Sequence, residues 1–212
     1  MRKERTYGLA LVASSIVLLV MGAVHPSSLP DTVEALEHVS LVDAVAHTLA
    51  IAGVWMALWG LVGLSRWLGF DQPLVVAALL AFALPAAGIT VAAALDGFVI
   101  PKLALQALEA EPATRETLWV LIRFCVLTAS ALTRIYMLLG AFAVALWSWV
   151  IFRKSFSVAL PLLGGSVALA AVATTFGGPA YISVHVLLLL VVVQSAWMVW
   201  AGLLMLKNHP AV

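Results

Sequence analysis

Apolar residues occur in six long runs, at approximately 7–25, 44–65, 74–96, 117–152, 157–176 and 182–206. Breakers separate them: Pro26 and Pro30, then 69–73, 101–112, 153–155, and Gly177-Gly178-Pro179. A hydrocarbon core of about 30 Å needs roughly 20 apolar residues in a helix. The pattern therefore predicts an all-α polytopic transmembrane bundle of six spans, a single domain over 1–212. Arg2, Lys3 and Arg5 precede the first run, as in a signal peptide. Its end, Val24-His25-Pro26, lacks the small-x-small pattern of a cleavage site, so the run reads as a retained span. Ser40-Leu-Val-Asp43 reads as a capping box opening the second helix, and Thr114 with Glu116 and Thr117 as the start of the fourth.

The fourth run exceeds the membrane. At roughly 1.5 Å per residue it would measure about 54 Å as a helix, yet it is too short for two spans and a turn. Counting back from Arg153 places the embedded part from near Ala131 onward. Residues 117–130 are then expected to project outward, or to tilt across the outer mouth of the bundle.

Composition agrees with this reading. The 212 residues are 64% hydrophobic and 10% charged, with a mean hydropathy of +1.12. Soluble domains carry roughly a quarter charged residues. The net charge of +1, with no basic tract beyond the first five residues, argues against a nucleic-acid partner. A single cysteine, Cys125, excludes an internal disulfide framework and a cysteine metal knuckle and reads as a small apolar helix residue.

The cations set an expected orientation. With the N-terminus inside, Arg2, Lys3, Arg5, Arg66, Arg153, Lys154 and Lys207 are cytoplasmic, while Asp31, Glu34, Glu37, Asp43, Glu109, Glu111 and Glu116 lie outside. The positive-inside rule is then satisfied with both termini cytoplasmic. Small residues suit helix packing in the third span (Ala77, Ala78, Ala81, Ala83) and the fifth (Gly164, Gly165, Ala168). Trp67, Trp147, Trp149 and Trp200 read as an interfacial belt at the inner ends. No internal repeat supports a repeat-built transporter.

Ionisable groups inside a bilayer are costly and usually face the bundle interior. His25 ends the first span, His47 lies just inside the second, Asp96 ends the third, Arg134 enters the fourth and His185 opens the sixth. All five fall at one outer level, with Thr174 and Thr175 as the fifth span's contribution. On the fourth helix Glu116, Arg123, Ser130 and Arg134 fall within about 40° of one another, a polar stripe. These positions predict an outward-facing polar pocket with the outer part of the fourth helix as one wall. Duller roles compete: headgroup contacts for His25 and His38, a structural Asp96–Arg134 pair, core hydrogen bonds for His47, His185 and Gln194.

Three chemistries fit such a pocket. Arg123 and Arg134 could hold a small anion or lipid headgroup by forked hydrogen bonds, with Asp96 and Ser130 as further ligand-site residues, in a transport or accessory role. His25, His47, His185 and Asp96 offer three nitrogens and an oxygen for zinc or copper, with Asp43 behind His47. Alternatively, His47 and His185 could ligate haem b in a redox protein. A metal there could also activate water, making a membrane-embedded hydrolase. Integral-membrane hydrolases of the superfamily that includes the alkaline ceramidases use three histidines, an aspartate and a serine. Their late-helix H-x-x-x-H is missing, since His185 stands alone, and no catalytic residue is transferred. The segments Ala46-His-Thr-Leu-Ala-Ile-Ala-Gly53 and Ala94-Leu-Asp-Gly-Phe-Val-Ile-Pro-Lys102 resemble stretches in small bacterial inner-membrane proteins of six spans. That resemblance implies a bacterial inner-membrane location, implies no activity, and points to the same His47 and Asp96. The expected partners are the lipid bilayer and a small-molecule or lipid ligand, with a homo-oligomer left open.

Overall fold

A computed structural model describes residues 3–25, 33–177 and 184–207, with side chains described for 5–25, 39–176 and 188–207. Helices follow one another with almost no intervening chain: α1 (Lys3–Val24), α2 (Val33–Leu68), α3 (Pro73–Ala94), a π-helical turn (Leu95–Val99), α4 (Ile100–Glu109), α5 (Pro112–Arg153), α6 (Ala159–Gly177) and α7 (Val184–Lys207). No strand occurs among the described residues. Among the described residues six elements are long and apolar enough to cross a membrane, with α3, the π turn and α4 forming one of them. The protein is an all-α, multi-pass helix bundle.

The six spanning elements form a ring, in the order α1, α2, α3, α5, α6, α7 and back to α1. Contact is most extensive between α1 and α2, α3 and α5, and α1 and α7, and it is sparse at the α2/α3 and α6/α7 seams. The π turn and α4 add to the contact of the third spanning element with α2, so the α2/α3 seam is thin only below the π turn. Lipid tails are as apolar as leucine, so close packing and interhelical hydrogen bonds must hold such helices together. Both are concentrated at the end carrying Arg66, Arg153 and Lys207. There Trp147 and Trp197 are fully buried with ring centroids 6.3 Å apart. Trp147 Nε1–H donates to Ser65 Oγ at 3.1 Å and Trp197 Nε1–H to Ser148 Oγ at 3.0 Å, tying α5 to α2 and to α7.

Trp147 is therefore a core residue and not part of an interfacial belt; its indole finds a protein partner, which removes any need for headgroups. Trp149 and Trp200, by contrast, are exposed. At the same end Gly69, at φ +102°, makes the turn from α2 into α3, and Lys154 Nζ donates to the Leu68 carbonyl at 2.6 Å, capping α2.

At the opposite end the helices overrun the spans. The helix α2 is already under way at Ser40-Leu-Val-Asp43, so that segment opens no helix. The third spanning element continues through Asp96 to Glu109, because Pro101 falls on the first turn of α4, where a missing N–H is tolerated. The helix α5 starts at Pro112 and folds back along α4, packing Ile122 and Cys125 against Ile100 and Ala104. Arg115 closes the hairpin, with Nε donating to the Ala107 carbonyl and an Nη to that of Ala110, each at 3.0 Å. These are last-turn carbonyls that the helix itself leaves unpaired.

Candidate metal centre

The residues that converge come from three elements at the end where α1 stops. His25 directly follows α1, its N–H still donating to the Met21 carbonyl at 3.0 Å. Asp43 and His47 stand four apart on α2, on one face and both buried. Asp96 sits in the π turn.

That turn has a local cause. Pro101 has no N–H to return to Gly97, and the Ile100 N–H reaches instead to the Leu95 carbonyl, five residues back. The widened turn presses the backbone of Gly97 onto the imidazole of α2. A Cβ at Gly97 would lie 2.5 Å from His47 Cβ and 2.6 Å from its Cγ. Only glycine permits this approach, and the approach carries the neighbouring Asp96 to His47.

Both nitrogens of His47 are engaged. Nδ1 lies 2.9 Å from the Asp43 carbonyl and 3.1 Å from Asp43 Oδ1. A carbonyl only accepts, so Nδ1 carries the proton. In a neutral ring Nε2 is then a bare lone pair, and it faces Asp96 Oδ2 at 3.3 Å. Two acceptors opposed at that distance require a cation or a proton between them. His25 completes the group: its Nε2 is 4.0 Å from Asp96 Oδ2, and its ring meets that of His47 edge-on with centroids 4.9 Å apart. Ligand atoms of His25, Asp43 and His47 lie within 4.8 Å of one another. The side chain of Asp96 is 47% exposed against 7% for His47, so the cluster opens on the Asp96 side.

Beneath the cluster lies a cavity of about 120 Å³. His25, His47 and Asp96 form its polar rim, and Leu18, Met21, Ala50, Val54, Ile89, Ala92 and Ala93 its apolar walls. On α5 the lining residues are Ala129, Thr133, Tyr136 and Met137, and on α7 Val191, Gln194, Ser195 and Met198. A hydrogen bond joins Tyr136 to Gln194 across the floor. Ser195 is 1% exposed, and its Oγ has no hydrogen-bond partner among the described residues.

The sequence-derived candidates distribute unevenly around this centre. His25, His47 and Asp96 come together, and Asp43 joins them directly. Arg134 is half-buried and Ser130 likewise, while Arg123 and Glu116 are exposed. Among the described residues none of these four lines the cavity. The face of α5 that meets α4 carries Ile122 and Cys125, which turns the polar stripe away from α4. His185 lies in the first turn of α7, and its side chain, like that of His38, is outside the described residues. The lining positions Thr133, Tyr136 and Ser195 carry no periodic signal, because single hydroxyls on apolar helices usually bond to their own backbone, as Thr133 does to the Ala129 carbonyl. The Asp96-Gly97 pair followed by Pro101 is the signal along the chain that could have marked the π turn, where the apolar run reads as ending at Asp96. Compared with protein-family profiles, curated proteins and solved structures, the chain matches none.

Proposed function

We propose that this membrane protein holds one zinc- or copper-class ion on His25, His47 and Asp96, with Asp43 orienting His47, and presents it to a small ligand. The observation that carries the reading is the ring of His47, donating to Asp43 through Nδ1 while its Nε2 faces Asp96 at 3.3 Å. Ligands about 2.0–2.1 Å from a tetrahedral ion stand about 3.3–3.4 Å apart, so the pair already has the spacing of a coordination sphere. Carboxylate behind histidine is also the usual device for fixing the tautomer and orientation of a metal-bound imidazole. The half-buried His25 stands beside the pair, its Nε2 4.0 Å from Asp96 Oδ2.

Three protein ligands leave a fourth position, the arrangement of sites that bind water or a small donor molecule and lower its pKa. Hydrolytic use of such a water is a second reading with the same first step. Haem b has less support, since Asp96 covers the Nε2 that an axial ligand would need. Its cavity also compares with the roughly 150 Å³ space that accepts benzene, far short of a macrocycle. The anion reading is weakened by the positions of Arg123 and Arg134 away from the cavity. The orientation proposed puts the basic end in the cytoplasm and the metal centre on the outer face of a bacterial inner membrane.

Elemental analysis of protein purified in zinc- or copper-supplemented medium tests the proposal. About one equivalent of metal is expected in the wild type, absent from His47→Ala and Asp96→Asn variants that still fold. An imidazolium clamped between two aspartates would make the same contacts without metal. A folded wild type that retains no metal and does not compete with a micromolar chelator would establish that arrangement instead.

A further inference from the structure

The cavity continues well below the cluster, to a depth the metal does not need. His47 and Val54 both line it and stand seven residues apart on α2, about 10 Å along the helix. It is polar at both ends and apolar between them. The far end carries Ser195, buried and without a partner for its hydroxyl among the described residues, beside Gln194. Serines in apolar helices ordinarily bond back to the preceding turn, as Ser15 does to the Leu11 carbonyl at 2.8 Å. An unpaired buried hydroxyl costs about 1–3 kcal/mol, and Ser195 stands in the wall of this cavity, so a donor or acceptor that reached it from there would be gained. Gln194 spends one amide position on Tyr136, of the four hydrogen bonds an amide can make.

A route to this floor runs sideways. A shallow apolar groove at the sparse α2/α3 seam shares Ala50, Val54, Ile89 and Ala93 with the cavity. One hydrogen bond crosses the seam there, from Trp55 Nε1–H to Thr90 Oγ1 at 3.2 Å, and Trp55 is half exposed on the lipid-facing surface.

We infer that the deep cavity is a binding site for a small, uncharged, membrane-partitioned molecule that places a hydroxyl or carbonyl on Ser195 and Gln194 and enters from the bilayer between α2 and α3. About 120 Å³ suits a chain of six or so carbons or a single ring. The inference rests on the cavity and its unpaired serine, and it stands whether or not the rim binds metal.

The test uses a diazirine-bearing hexanol on the full chain in lipid nanodiscs, with labelled residues located by mass spectrometry. Labelling is expected on Met137, Met198 or Leu18, and excess 1-hexanol should compete it away while n-hexane does so far less. Ser195→Ala should weaken the competition about 2- to 10-fold, the range of one neutral hydrogen bond. Filling the cavity with Ala50→Leu should abolish the label, and Asp43→Asn, which disturbs the metal centre without lining the cavity, should keep it, which separates this site from the metal reading. Label confined to lipid-facing residues such as Leu169 and Phe176, or unchanged by both cavity variants, would overturn the inference.

Discussion

The two ends of this bundle solve the same packing problem in opposite ways. At the basic end, polar atoms are paired: Ser65 with Trp147, Ser148 with Trp197, and the exposed Lys154 with the end of α2. Large rings fill the interior, with Phe82 beside Trp147. At the other end the ring of helices encloses a cavity, a backbone turn is widened by one residue, and a serine is left unpaired. Such departures from full packing cost free energy and persist where something else uses them. On the proposed reading, the working part of the protein lies at the His25–His47–Asp96 end and the tryptophan end holds it.

The sharpest way to break that contrast is Trp147→Ala. Removing a fully buried indole should cost about 3–5 kcal/mol, read as unfolding by denaturing detergent in mixed micelles, with metal content following the folded fraction. A loss no greater than that of a surface tryptophan such as Trp149→Ala would mean the basic end is not the scaffold. Next in size, Gly97→Ala drives a methyl group into His47 and should lower metal affinity at least tenfold while the bundle stays folded, measured by chelator competition. Asp43→Asn tests the support behind the ring, and about a 10- to 100-fold loss of affinity is expected. Retained affinity in both variants would remove His47 from the site.

Volume offers a gentler comparison. Ala143→Val adds two carbons to a fully buried position of the tight end and should cost about 1–3 kcal/mol. Ala93→Val points the same carbons at the cavity and should be close to neutral. Equal penalties would mean the cavity is not compliant space. The smallest contrast lies between two serines. Ser148→Ala strands the Trp197 N–H and should cost about 1–3 kcal/mol, whereas Ser195→Ala removes a buried hydroxyl that has no partner among the described residues and should leave stability unchanged or raised by up to that amount.

Much of this was legible along the chain, and the reason is physical. A bilayer forces every backbone polar group to pair within its own helix, so six apolar runs of sufficient length leave only a helix bundle. Expense does the same for ionisable residues: His25, His47 and Asp96 stand out because few such groups are tolerated at that depth. The separation of Asp43 and His47 by four places them on one helical face without any knowledge of neighbours.

What periodicity cannot say is which neighbour a face meets. The stripe of Glu116, Arg123, Ser130 and Arg134 is real, yet α5 turns its Ile122 and Cys125 toward α4 and leaves Arg123 exposed. Trp147 reads as interfacial by its place in the run, and only Ser65 on another helix makes it a core residue. The π turn depends on Pro101, but its consequence, the contact of Gly97 with His47, depends on how α3 lies against α2. The cavity and its unpaired Ser195 belong to no single helix. Local chemistry along the chain therefore determined the spans and the costly residues, because each is settled within one helix and its solvent. The tertiary structure alone decided the spacing of His25, His47 and Asp96 and the cavity, because both are distances between helices that only packing sets.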